Sequence, residues 1–310
     1  MRWRRNVVIS AGVLAGAYFG FSALMARGLT RVQRVRPQDT PESVGLEYEL
    51  VEFPSRNDGL SLAGWLIPPR VDGVQQFPRD FGESRWLAIV HGHSSNRAGP
   101  ATGAVGLMRD LIDRGYGVLA FDLRGCGDSE GTTSSVGYFE QMDLLGALDF
   151  LVSRGADRRR LGVLGVSLGA VVALLVCARP GTAAAVVADS AFADLQMIMA
   201  EGASGRRRAF RVFAPGVRWM SRILYGIDVA AVSPAATMAG SDTRALIIHG
   251  ERDEKVPAFH ATILARAGSI PARDVWIAPG SGHAAAYRTH PEEYVARVTA
   301  FFDETLGASS

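Results

Sequence analysis

The pattern of apolar and polar positions changes character three times along the chain. It opens with 21 uncharged residues, Asn6 to Ala26, bracketed by Arg2, Arg4 and Arg5 before and by Arg27, Arg31, Arg34 and Arg36 after. At about 1.5 Å per helical residue such a run spans roughly 30 Å, the depth of a bilayer's hydrocarbon core. The run predicts a single-pass helical anchor within 1–36, and Gly12, Gly16 and Gly20 give it one small-residue face. A cleaved secretory signal is the rival reading, disfavoured because Leu24 spoils the small-x-small site ending at Ala26. Arginines on both flanks leave the orientation open, so the expectation is the cell membrane with the side of the following domain undecided.

A polar, proline-containing linker (37–45) separates this run from one large domain (46–310). Tyr48–Phe53 and Leu60–Ile67 alternate around Asn57-Asp58-Gly59, the signature of an antiparallel hairpin closed by Pro68-Pro69. Residues 71–84 read as a loop. From Trp86 the pattern becomes short apolar runs separated by helical stretches, as in a parallel sheet with crossover helices. Strands are expected at Leu87–Val90, Gly117–Phe121, Leu161–Val166, Ala185–Ala188, Ala245–Ile248 and Val275–Ile277. The fold class is therefore α/β: a mostly parallel central sheet, an N-terminal antiparallel hairpin and helices on both faces. A longer stretch between the fourth and fifth of these strands, about 191–240, is expected to form a helical cap.

Leu161–Gly169 organises the rest. A short apolar run ends in Gly165-Val166-Ser167-Leu168-Gly169, and an apolar helix follows through Cys177. Gly-x-Ser-x-Gly between a strand and a helix is the form of a nucleophile elbow, a strained turn that lifts a serine hydroxyl above the sheet edge. Small flanking residues are needed because the backbones pack closely there, and the N-terminus of the helix favours a developing negative charge.

Composition changes this picture little. The 310 residues are 48% hydrophobic, ample for one large core. Residues 1–36 hold seven arginines and no acid, so the remaining 26 basic residues face 31 acidic ones, a formal charge of −5. The basicity belongs to the N-terminus, and the domain shows no nucleic-acid footprint. Cys126 and Cys177 suit neither a disulfide framework nor a metal site. No cofactor is implied.

A serine hydroxyl needs a base within hydrogen-bond reach, itself held by an acid. Downstream of Ser167, His249-Gly250-Glu251-Arg252-Asp253 runs off a strand, and Gly280-Ser281-Gly282-His283 follows the last one. Strand ends at the carboxyl edge are where open α/β sheets bind ligands. His283 is the candidate base, being in a glycine-rich loop and in the right chain order. His260 and His290 read as surface residues and His249 as a turn stabiliser. Asp253 is the candidate acid, with Asp189, Glu251 and Glu254 as rivals. The oxyanion hole needs two backbone N–H groups. Leu168 supplies one and His93 the other, with Ser94 next in line. His91 and His93 resemble a metal pair, but no matching ligand set accompanies them.

Taken together, His91–Arg97, Phe121–Gly131, Gly165–Gly169, Asp189–Asp194, His249–Asp253 and Gly280–His283 resemble the α/β-hydrolase superfamily. Within it the resemblance is to the bacterial membrane-anchored branch related to serine aminopeptidase-like and prolyl-oligopeptidase-like hydrolases. It implies Ser167 as nucleophile, Asp253 as acid and His283 as base, with His93 and Leu168 forming the oxyanion hole. It also implies a structural role for the Asp122–Gly131 turn, in which Cys126 is unusual. The expected activity is a serine hydrolase cleaving an ester or thioester through an acyl-enzyme. The alternatives are a peptidase or amidase with the same triad and a non-catalytic binding protein on the same fold. Arg206, Arg207, Arg208, Arg211, Arg218 and Arg222, interleaved with large apolar residues, suggest a cap resting on anionic headgroups and admitting acylated substrates. A solvated helix face explains them equally well.

Overall fold

A computed structural model describes residues 2–201 and 206–307, with side chains over 12–200 and 212–307. Helix α1 (Arg2–Thr30) is followed by strands β1 (Glu49–Pro54) and β2 (Ser61–Ile67), the expected antiparallel hairpin. The stretch expected as a loop instead contains a small hairpin, β3 (Arg70–Val71) and β4 (Val74–Gln75), and a 3-10 turn at Phe81–Glu83. Strands of two residues are too short to register as alternation. Phe81 ties the segment down by stacking on Trp86 with ring centroids 4.6 Å apart.

The sheet is completed by β5 (Arg85–Val90), β6 (Tyr116–Phe121), β7 (Leu161–Val166), β8 (Ala185–Asp189), β9 (Arg244–Gly250) and β10 (Val275–Ala278). These six contain all six expected strands. The order is β1-β2-β6-β5-β7-β8-β9-β10, and every pairing from β6 to β10 is parallel. The helices between the strands begin with α2 (Ala104–Ile112), α3 (Glu140–Ser153), α4 (Leu168–Cys177) and, after β8, α5 (Leu195–Glu201). Next come α6 (Arg206–Tyr225) and α7 (Pro234–Met238), then α8 (Phe259–Ala267), α9 (Ala286–Thr289) and α10 (Pro291–Thr305). Helices α3, α4 and α8 bury apolar residues on one face of the sheet, while α2 and α10 cover the other. Every residue of α4 is buried, which is why its sequence is apolar all round.

The Asp122–Gly131 turn is a scaffold. Asp122, fully buried, accepts from the Arg97 and Asp128 amides at 2.6 and 2.9 Å and pairs with the Arg97 guanidinium. Gly127 must be glycine there, since a β-carbon would lie 1.9 Å from the Asp122 carboxylate. The N-terminal segment is built into this scaffold. The Thr30 carbonyl accepts from Ser134, and the Arg34 guanidinium donates to the carbonyls of Gly127, Ser129 and Gly131 at 3.2, 2.7 and 2.6 Å.

Helices α5 to α7 occupy the stretch expected as a cap. The side chains of Arg206, Arg207, Arg208, Phe210 and Arg211 lie outside the described residues. Helix α6 packs along α1: the Tyr18 hydroxyl donates to the Val212 carbonyl and accepts from the Gly216 amide, and its ring stacks on Phe213. Gly216 permits this approach, because a β-carbon there would meet Ser22 Oγ at 2.3 Å.

The tightest backbone contact lies under the elbow. A β-carbon at Gly169 would sit 2.1 Å from the Val90 carbonyl oxygen, and one at Gly165 would sit 2.3 Å from that of Gly169. Neither neighbour is a movable side chain. Gly169→Ala is expected to destabilise the protein by about 3 kcal/mol or more, measured by urea unfolding. Gly28→Ala, which meets nothing within 4 Å, serves as the neutral comparison. Equal stability of the two variants would refute the close-packing account.

Candidate active site

Ser167 sits between β7 and α4 with φ 55° and ψ −116°. That backbone conformation is costly for a residue with a side chain. It is held by the Ser167 amide donating to the Asp189 carbonyl at 2.8 Å and by the glycine contacts beneath the turn. The hydroxyl lies 2.8 Å from His283 Nε2, and His283 Nδ1 lies 2.7 Å from Asp253 Oδ2. An ionised carboxylate can only accept, so Nδ1 carries the proton and Nε2 is left to accept from the serine. The structure thus brings together Ser167, His283 and Asp253, 116 and 30 residues apart in sequence, at the carboxyl edge of the sheet.

Asp253 is buried. Burial raises its pKa, yet hydrogen bonds from His249, His283 and the Val256 amide hold it well below the usual carboxylate range. Its Oδ1 takes the amides of Lys255 and Val256 at 2.9 and 2.8 Å. His249, also buried, donates from Nε2 to the Val256 carbonyl at 2.7 Å and faces Asp253 Oδ2 at 3.4 Å. It fixes the turn, as its position at a strand end suggests. The rival acids have other tasks: Glu251 accepts from the Gly280 amide at 2.8 Å, and Glu254 is exposed.

Asp189 does not touch the imidazole of His283, but Asp189-Ser190 links both halves of the site. Ser190 Oγ donates to Asp189 Oδ1 at 2.9 Å and accepts the Ala284 amide, next to His283, at 3.0 Å. One turn therefore holds the elbow through Ser167 and the histidine loop through Ala284. Sequence reasoning weighed Asp189 only as a rival acid and missed this bridge, which an Asp-Ser pair at a strand end does not announce. Burial pushes the Asp189 pKa up to about 6, despite bonds from Ser190 and Tyr294.

Leu168 is the first residue of α4, so its N–H has no acceptor within the helix. Gly92 lies against the serine, since a β-carbon on it would be 3.3 Å from Ser167 Cβ. His93 follows it, exposed at the rim, and Ser94 has φ 52°. His91 turns inward: Leu123 N donates to its Nε2 at 3.0 Å, so Nδ1–H donates to the Gly92 carbonyl at 2.7 Å. Among the described residues no cluster of His, Cys, Asp and Glu is suited to a metal ion. The expectation that His260 is a surface residue is wrong. It is fully buried, because its Nδ1 accepts the Ala193 amide at 3.2 Å and ties α8 to the strand end after β8. His290 is half-buried, with Nε2 at 2.8 Å from the Pro279 carbonyl.

Known proteins share this frame. The sequence profile of the prolyl oligopeptidase family matches residues 107–309. The protein YqkD of Bacillus subtilis is 28% identical over 237 residues, 75% of each chain. Lysophosphatidylserine lipase ABHD12 of Rattus norvegicus is 31% identical over 71% of this chain and 56% of its own, so this chain spans just over half that protein's length. The solved Pyrococcus furiosus esterase Pf2001 superposes with a TM-score of 0.68 at 25% identity, covering 89% of this chain and 100% of its own.

Two of the buried aspartates, Asp189 and Asp253, act oppositely on stability. Asp189 titrates near pH 6 when folded and near 3.8 when unfolded, so between these values the folded protein holds a proton that the unfolded chain has released. Its contribution is present below the unfolded value and is lost as pH rises to about 6, by up to about 3 kcal/mol. Asp253, with a lowered pKa, contributes above 3.8 and loses that contribution as the medium becomes more acidic. Urea unfolding of wild type and Asp189→Asn from about pH 4 to about pH 7 is expected to show the variant gaining on wild type as pH rises. A pH-independent difference would overturn the assignment.

Proposed function

The chain belongs to the prolyl oligopeptidase family of α/β-hydrolases, and from the geometry of its site we propose a serine hydrolase that cleaves carboxylic ester or thioester bonds. The observation that carries this reading is the unbroken bond chain Ser167–His283–Asp253, at 2.8 and 2.7 Å. Ser167 Oγ attacks the acyl carbonyl carbon while its proton passes to His283 Nε2. The carbonyl oxygen, now negative, is held by the N–H groups of Leu168 and His93. Collapse of this intermediate breaks the bond to the alkoxide or thiolate leaving group, which takes the proton from His283. The acyl group stays on Ser167. Water then repeats the sequence, giving its proton to His283 and releasing the carboxylic acid and free Ser167. Asp253 keeps Nδ1 protonated and stabilises the imidazolium in both halves.

The likeness to a solved esterase over 89% of this chain and the resemblance to a lysophosphatidylserine lipase favour ester over peptide bonds. The substrate class is accordingly a small or acylated ester. Helix α1 is read as a single-pass anchor in the cell membrane: Gly12–Thr30 is long and apolar enough to cross a bilayer, and arginines flank the run.

A fluorophosphonate probe is expected to label wild type at Ser167 and to leave Ser167→Ala unlabelled. Activity on p-nitrophenyl esters is expected to fall about ten-thousandfold or more in Ser167→Ala and His283→Ala, with folding checked by circular dichroism. No labelling of folded wild type would favour a binding protein, and faster turnover of aminoacyl amides than of esters would favour a peptidase.

A further inference from the structure

Exposed apolar side chains are concentrated on two touching helices. Of the fifteen large hydrophobic residues that are exposed among the described ones, nine lie on α1 and α6. They are Val13, Leu14, Phe19, Phe21 and Leu24 on the first, and Val212, Trp219, Ile223 and Leu224 on the second. The helices are joined by the Tyr18 hydroxyl, which bonds α6 twice, by the Tyr18–Phe213 stack and by Phe19 beside Trp219 at 5.6 Å. An anchor could be expected to hang free of the domain it tethers. This one is packed on α6, its last residue Thr30 bonds Ser134, and Arg34 just beyond it bonds the scaffold at residues 127–131.

Charge points the same way. Helix α6 carries six arginines and no acid over 206–225, in a domain whose charge beyond residue 36 is negative. Arginines beside large apolar residues suit the headgroup boundary of an anionic leaflet, where the stems lie along acyl chains and the guanidiniums meet phosphate. Beneath α6 lies a cavity of about 640 Å³ whose walls include Met199, Arg218, Trp219, Arg222 and Val229. Trp219 serves both surfaces, facing the cavity and lying against Phe19 of α1. Val229 opens the turn that leads to Val232, which packs against Gly137 as Leu168 does.

We propose that α6 is seated with α1 in the anionic leaflet of the bilayer, so that acylated substrate passes from the lipid along Trp219 into the cavity beneath α6. This rests on reading α1 as a retained anchor and the protein as an ester hydrolase. The test separates the three. In the full-length protein, Cys126 and Cys177 are buried, so a cysteine at Ile223, Leu14 or Leu50 takes an environment-sensitive fluorophore alone. Each labelled protein is placed in phosphatidylglycerol–phosphatidylcholine vesicles containing spin-labelled lipid, also in the Ser167→Ala background.

Quenching at 14 and 223 but not at 50, irrespective of Ser167, is the expected result. Quenching at 14 alone would overturn the seating of α6 and leave the anchor standing. Quenching at neither would overturn both, with soluble-ester activity still reporting on the hydrolase. Crosslinking between copies through position 223 would show that a second chain covers α6, and the proposal would fall. Finally, Ile223→Gln combined with Leu224→Gln is expected to lower kcat/KM about tenfold on a long-chain ester in vesicles. Turnover of a short soluble ester should stay within about twofold, and equal losses on both substrates would refute the route.

Discussion

Gly169 lies so close to Val90 that the first helical turn of α4 nearly touches the end of β5, and the strained serine conformation depends on that approach. A residue held at φ 55° tends to relax unless its surroundings over-determine it. Here the constraint comes from three directions: glycine backbones below, the amide bond to Asp189 beside it, and a helix with no exposed residue behind. Because α4 is buried all round, it cannot rotate to release the turn. The packing of the core and the aim of one hydroxyl are therefore the same fact.

Around that fixed point the histidine loop is delivered by separate means. The β-carbon missing from Gly250 leaves room for the Ser281 and Gly282 carbonyls, and Arg252 N bonds the Ser281 carbonyl at 2.8 Å. Ser190 draws in Ala284 from the other side. The loop bearing His283 is thus gripped by β8 and β9 together, so the Ser167–His283 distance is set by contacts that are all main chain or short side chain. Such contacts lose little side-chain entropy on folding, so the geometry is set by the fold itself.

Much of this was legible in the sequence, and the boundary of legibility has a physical cause. Six buried parallel strands announce themselves as apolar runs, and Ser167, Asp253 and His283 each stand just after one. Turn glycines mark where backbones meet. What stayed hidden depends on single polar atoms in tertiary contact. His260 looks like any polar residue on an exposed helix face, and the Ala193 amide that it accepts becomes visible only in the fold. The Ser190 bridge is equally silent. The β3–β4 hairpin was missed because two-residue strands carry no period, and its neighbour Phe81 shows a purpose only when Trp86 is seen stacked on it.

The grip of Arg34 on three alternate carbonyl groups has a practical corollary for anyone making a soluble form. The natural place to cut, just after the last flanking arginine at residue 36, would discard a guanidinium that knits the bend around Asp122. A shortened polypeptide beginning just ahead of residue 30 keeps that stitch and the edge contact of Arg31 with Thr133. One beginning at residue 37 leaves main-chain oxygens looking for water beside the very turn that carries Arg97's partner.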